Sequence, residues 1–168
     1  MNFVANWEPK TYTATFKGNG GVWGKDEAIE TTQVVDVVYG NAITVPANPT
    51  RTGYTFNGWD KAVPGAMPAE DLVFTAQWTI KSATITFANT GDTTIAPITK
   101  NYGEVVGDVT EPQKKGYTFD GWDKAIPATM PEENMTITAK WTPNTYLVIW
   151  DNDGNKTIEK YEFGATVN

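Results

Sequence analysis

The chain has no cysteine and no histidine. Without a thiol there is no disulfide, no thiolate nucleophile and no ordinary cysteine-based zinc site. Without imidazole the usual neutral-pH general base is missing, so the hydroxyls of Ser82 (the only serine) and the threonines lack a partner to activate them. Basic residues are scarce: 13 Lys and Arg stand against 20 Asp and Glu, a net charge of −7 over 168 residues. Nucleic acid, heparin-like polyanions and acidic membranes are therefore poor partners, because binding them relies on Lys and Arg neutralising phosphate or sulfate. No apolar run approaches the roughly 20 residues needed to span a bilayer. No basic, then apolar, then small-residue leader opens the sequence, so any signal peptide is expected to lie outside it.

What is present points to strands. Threonine occurs 26 times and Trp, Tyr and Phe seven times each, with 15 Gly and 10 Pro to punctuate turns. No stretch beyond about ten residues keeps a 3.6 period, so a mostly β protein is expected. Hydrophobic content of 40% is too high for a disordered tail.

The main finding is an internal repeat. Gly53 to Trp78 reads GYTFNGWDKAVPGAMPAEDLVFTAQW, and Gly116 to Trp141 reads GYTFDGWDKAIPATMPEENMTITAKW. The offset is 63 residues without a gap, and 16 of 26 positions are identical. Tyr39-Gly40 matches Tyr102-Gly103 at the same offset, while Phe16–Gly20 matches Phe87–Gly91 at an offset of 71. The first copy thus carries extra residues between Gly20 and Tyr39. A third opening follows at Trp150–Gly154 and Phe163-Gly164, and residues 1–7 match the last strand of a copy, 135–141. The expected division is a closing strand of a preceding repeat (1–9), unit one (10–79, with an insertion near 21–35), unit two (80–142) and the opening hairpin of a third unit (143–168).

Stacking the closing strands gives period 2. Leu72/Met135/Met1, Phe74/Ile137/Phe3, Ala76/Ala139/Ala5 and Trp78/Trp141/Trp7 share one parity and are expected to face a core. In the opening strands Tyr12/Ala83/Tyr146, Ala14/Ile85/Val148 and Phe16/Phe87/Trp150 lie on one face. Residues 66–71 and 129–134, with Pro early and acids beside it, suggest a single helical turn; a short helix between the second strand and Gly-Tyr-Thr-Phe is the alternative. A unit of this size buries only about 60% of its unfolded surface, so tryptophans must supply much of its core.

A Tyr-x-x-x-Phe strand, a Gly-rich turn, a Tyr-Gly, then Gly-Tyr-Thr-Phe-x-Gly-Trp and a closing Ala-x-Trp together resemble the Listeria–Bacteroides repeat, also called the internalin B-repeat. The resemblance covers nearly the whole chain. Asn19-Gly20-Gly21 is nearest to the family's turn, from which Thr90-Gly91-Asp92 and Asp153-Gly154-Asn155 depart. It implies an α+β, β-grasp-like module of about 63–71 residues, used in extended tandem arrays on bacterial surface proteins, with no catalysis, no cofactor and no defined ligand residues.

The candidate chemistry is weighed against that repeat logic. Asp60 and Asp123 after Trp, and Glu70 and Glu133 after Pro, recur in both copies. A catalytic centre is normally built once, whereas a turn or cap is rebuilt in every unit, so turn bonds and helix-start charge are expected of them. Asp151–Asn155 resembles part of a calcium loop, but its Gly arrives two positions early for an EF-hand, and a hairpin turn is expected. Trp7, Trp59, Trp78, Trp122 and Trp141, with Tyr54, Phe56, Tyr117 and Phe119, are expected in the structural core, and so is Trp150. Trp23 alone has no counterpart. It is the one aromatic to test as partner-facing, against the alternative that it covers a seam between units.

The function expected is a non-catalytic spacer on a bacterial cell surface or wall, without metal or cofactor, its partners being neighbouring units. The alternatives are a module binding a surface protein or neutral glycan, and a self-assembling repeat in which strand 1–7 pairs with strand 145–150, within the chain or between molecules.

Overall fold

The computed structural model describes residues 3–24 and 31–167. The described residues form ten strands and no helix. Two compact units divide the chain, Met1–Lys81 and Ser82–Asn168.

Unit one holds β1 (Thr11–Lys17), β2 (Thr32–Val38), β3 (Tyr54–Trp59) and β4 (Leu72–Ile80) in one sheet of order β2-β1-β4-β3. The first and last strands are the central neighbours and run parallel, with Ala14 opposite Leu72 and Phe16 opposite Phe74. The outer pairings, β1 with β2 and β3 with β4, are antiparallel. Unit two repeats the plan with β5 (Ser82–Ala88), β6 (Ile98–Asn101), β7 (Tyr117–Trp122) and β8 (Met135–Pro143) in the order β6-β5-β8-β7. The parallel register also recurs, with Ile85 opposite Met135 and Phe87 opposite Ile137. This is the sheet order of a β-grasp, so the chain is mostly β and built of tandem small modules.

The helical part of the α+β expectation is not met among the described residues. The run at 66–71 is irregular, with bends at 66 and 69–70, because Met67 is already committed. Its N–H donates to Asn41 O at 2.8 Å and its carbonyl accepts the Gly40 N–H at 2.9 Å. Met130 makes the same pair of bonds with Glu104 and Gly103. A helical turn would have to break both, and the following proline has no N–H to offer. Glu70 and Glu133 therefore start no helix.

Each core is a single layer of apolar side chains on one face of its sheet. Ala14, Phe16, Trp23, Val37, Met67 and Phe74 form the first, and Ala83, Ile85, Phe87, Val106, Met130 and Ile137 the second. The strand alternation of period 2 accounts for most of these. Phe56 and Trp59 break it, being three residues apart yet in edge contact with each other at 5.2 Å. A β-bulge resolves this. Phe56 stands opposite Trp78 and Trp59 opposite Ala76, so three steps on β3 match two on β4. Gly58, at φ +89°, supplies the backbone conformation. Gly121 does the same at φ +82° between Phe119 and Trp122. The Phe-x-Gly-Trp motif is therefore the sequence of a bulge.

The second unit also carries β9 (Thr145–Asn152) and β10 (Asn155–Glu162), a hairpin that forms its own two-stranded sheet. Asp153 and Gly154 both have positive φ, +50° and +90°, as a type I′ turn requires.

Candidate functional site

The aromatic residues are the first candidates. In unit one Phe16 meets Trp59 edge-on at 5.0 Å and stacks on Phe74 at 4.9 Å, while Phe56 bridges Trp59 and Trp78 at 5.2 and 5.6 Å. In unit two Phe119 bridges Trp122 and Trp141 at 5.3 and 5.5 Å, and Phe87 lies 5.4 Å from Trp122. Such offset and edge contacts add about 0.5–1.5 kcal/mol each to area burial. Trp59, Trp78, Trp122 and Trp141 are half-buried, as are Tyr54, Phe56, Tyr117 and Phe119. Trp78 Nε1–H donates to Gly18 O at 3.0 Å and Trp141 Nε1–H to Asn89 O at 2.7 Å, so each indole ties the closing strand to the turn after the opening one. Arg51 and Lys114 lie over the Tyr54 and Tyr117 rings at 3.8 and 4.1 Å.

Three tryptophans are placed otherwise than expected. Trp23 is not partner-facing: it is only 9% exposed, its ring stacks on Trp59 at 6.3 Å, and its Nε1–H donates to Ala47 O at 2.6 Å. The bridge between Val22 and Thr50 puts it there, so Trp23, at the start of the insertion, joins that unit's own core; residues 25–30 of the insertion lie outside the described residues. Trp7 is not in a core. It is 87% exposed, and residues 3–10 form no strand. Trp150 is 42% exposed, on a strand paired with β10 alone among the described residues.

The acids sit at structural positions. Asp60 Oδ1 accepts the Thr75 N–H at 2.8 Å while its own N–H donates to Thr75 O at 2.9 Å. Asp123 makes the same two bonds with Thr138. These pairs pin the bulge to the closing strand. The Thr138 N–H, opposed by desolvation and aided by Lys124, holds the Asp123 carboxyl below its ordinary 3.8. Asp151 accepts the Gly154 N–H across the hairpin at 3.0 Å and faces Lys156 at 3.7 Å. Among the described residues no three acids converge as a metal would require.

Two repeated features escaped the sequence reading. Asp71 Oδ1 and Asn134 Oδ1 accept the Thr13 and Thr84 N–H groups at 2.7 and 2.8 Å, fastening the start of each parallel pair. The signal was an Asp or Asn just before each closing strand. Asn19 and Asn89, both at positive φ, donate through Nδ2 to Ala76 O and Ala139 O at 3.0 and 2.9 Å. Their offset is 70, not 71, so the two turns match by function one residue away from their sequence alignment.

An open groove of about 460 Å³ lies on unit two beside Asp92, Gln113, Lys114, Tyr117 and Trp141. It joins aromatic edges to hydrogen-bonding groups, and the charged groups on it, Asp92, Glu111, Lys114 and Lys115, are none of them buried.

Against known proteins, the family model described as the Listeria-Bacteroides repeat domain matches residues 12–81 and 84–140. The chain belongs to the Listeria-Bacteroides repeat family. Internalin H of Listeria monocytogenes is 35% identical over 153 residues, covering 80% of this chain and 26% of that protein. Two proteins of Evansella cellulosilytica, named as a candidate membrane protein and a candidate Gly-rich membrane protein, are 29% and 27% identical over 90% and 96% of the chain. The chain spans 24% of the first and 20% of the second. It is thus about a quarter of the length of these relatives or less. The matched segments start and stop close to the two four-stranded sheets, so the family's repeat is the β-grasp-like module itself.

Proposed function

We propose that the chain is a non-catalytic structural repeat region of a bacterial surface or secreted protein, spacing a functional domain from its point of attachment. One observation carries this: the sheet and the bonds that fasten it are built twice. Sheet order, parallel register, bulge, Met plug and aromatic chain recur in both units, while catalysis needs one differentiated cluster. The relation to internalin H supports the surface location.

X-ray scattering tests the reading. A spacer gives a rod whose length grows by a constant step when one unit is inserted. That step is on the order of 30 Å, the length of a nine-residue strand at about 3.3 Å per residue. A compact globule that stays compact on insertion would refute it.

The groove beside Trp141 favours a second reading, a weak site for a neutral glycan on unit two. Titration with neutral oligosaccharides, followed by indole fluorescence, tests it. The signal should fall in Gln113→Ala and Lys114→Ala, and a signal indifferent to both removes the site.

A further inference from the structure

A single residue, Asn144, separates the closing strand β8 from β9. It is held from both sides. Its N–H donates to Gly116 O at 2.8 Å, and its carbonyl accepts the Phe163 N–H at 2.7 Å. Its Oδ1 accepts the Thr118 hydroxyl at 2.6 Å. The first bond ties the end of β8 to the residue before β7, and the second closes the hairpin β9–β10 just beyond Glu162. Both bonds have counterparts in unit one. Lys81 N–H donates to Gly53 O at 2.9 Å, and Tyr39 N–H donates to Lys10 O at 2.8 Å.

The Phe163 ring lies over this corner. It meets Tyr117 edge-on at 5.6 Å and lies 6.3 Å from Tyr146. Lys114 Nζ is 4.1 Å from the centre of the same Tyr117 ring. A Cβ on Gly116 would stand 2.3 Å from carbons of the Phe163 ring, including the one that anchors it. Gly116 also has φ +80°. Glycine is thus required twice, once for the backbone and once for the room that the ring occupies. The Gly-Tyr that opens Gly-Tyr-Thr-Phe is a seat, and an aromatic residue followed by glycine fills it. Phe163-Gly164 stands where the complete units carry Tyr39-Gly40 and Tyr102-Gly103.

We propose that this Gly-Tyr corner is a receptor surface for the aromatic residue that ends the opening hairpin of the following repeat, making the joint between them a lock rather than a hinge. The torsions of Asn144 are the slack between β8 and β9, and its hydrogen bonds to Gly116 and Phe163 take up much of it. The ring on Gly116 takes up the rest, because swinging the hairpin away uncovers both Phe163 and the face of the glycine. Phe163 keeps 38% of its surface in solvent, so it locks from outside and belongs to no core cluster. A contact this small would not hold two separate molecules together. Across a one-residue tether it acts at a high effective concentration, and a weak contact suffices.

The proposal deepens the spacer reading and rests on it in one respect, that β9–β10 opens a further repeat, as the match of Trp150–Gly154 to Phe16–Gly20 and Phe87–Gly91 supports. The test is amide NMR relaxation on the whole 168-residue chain. In the parent, β9–β10 should share the order parameters of the β5–β8 sheet, about 0.85. Phe163→Ala should drop the hairpin below about 0.6 while the sheet keeps its value. Phe163→Tyr, the residue of the complete units, should keep the parental value. Gly116→Ala reads the contact from the other side with every hairpin residue intact, and it should release the hairpin as Phe163→Ala does. Cross-strand contacts between Val148 and Glu159 separate release from unfolding; if Phe163→Ala unfolds the hairpin, Gly116→Ala decides. A hairpin that already moves independently in the parent, or one that stays fixed in the deciding variant, would overturn the proposal. A freely moving hairpin in an array that still lengthens as a rod would remove the lock and leave the spacer reading intact, and a compact array with the hairpin fixed would do the reverse.

Discussion

Trp23 offers the sharpest test of how unit one is held together. Truncating it to Ala removes an indole that is 9% exposed and stacked on Trp59. A buried aromatic covers about 150–250 Å². At about 25 cal/mol per Å² that is on the order of 5 kcal/mol, an upper value because the unfolded chain already hides part of the ring. Large-to-small aromatic substitutions in cores cost about 3–5 kcal/mol. The carbonyl of Ala47 loses its donor but lies on an exposed residue, so water replaces the bond and adds little. A module of about 70 residues at roughly 0.05–0.15 kcal/mol per residue has about 4–10 kcal/mol in total. Trp23→Ala should therefore bring unit one to the edge of unfolding while unit two, which has no equivalent residue, stays folded. Urea titration followed by indole fluorescence and far-UV circular dichroism should show one parental transition and one displaced to low denaturant. Trp23→Phe should recover most of the loss. A Trp23→Ala chain with both transitions unmoved, or with both moved equally, would refute the assignment of this side chain to one unit's core.

Other perturbations follow from the same geometry. Gly58→Ala meets no atom within 4 Å, so its cost is the positive φ alone, about 1–2 kcal/mol, whereas Gly21→Ala drives a methyl into the Trp78 ring and should lower the melting temperature further. Met67→Ala and Met130→Ala each empty a site that is 1% exposed and should each cost about 2–5 kcal/mol in calorimetry, the former in unit one and the latter in unit two. Asp123 has a folded pKa below 3.8, so its carboxylate contributes stability above that ordinary value and loses it as pH falls through the lowered one. Stability of Asp123→Asn relative to the parent, followed from pH 7 into acid, should show a deficit that closes only below 3.8; a deficit constant with pH would mean the charge is not involved.

The sequence made the repeat and the strand faces legible, because period 2 and the 63-residue offset are both local properties of the residue order. The parallel pairing of first and last strands was legible only through the family resemblance, since nothing in residues 11–17 names residues 72–75 as partners. The helix expected at 66–71 failed because Pro and acids resemble a helix start, while the backbone bonds of Met67 to residues 40 and 41 are non-local. Trp7 and Trp150 were judged by repeat position, which specifies what a residue would pack against but not that the packing partner is at hand. Trp23 was misjudged for the opposite reason. Having no counterpart, it looked surplus to the core, yet the bridge at Val22 and Thr50 sets its ring against Trp59.

The parallel pairing of β1 with β4 has a mechanical corollary. The backbone enters unit one at one extremity of the sheet and departs at the other. Tension applied across the unit therefore slides these two strands past each other and strains their hydrogen bonds all at once, whereas peeling an antiparallel pair would break them in turn. Unit two is strung the same way through β5 and β8, so single-molecule stretching should find both modules yielding abruptly, at forces that exceed those for the hairpin β9–β10.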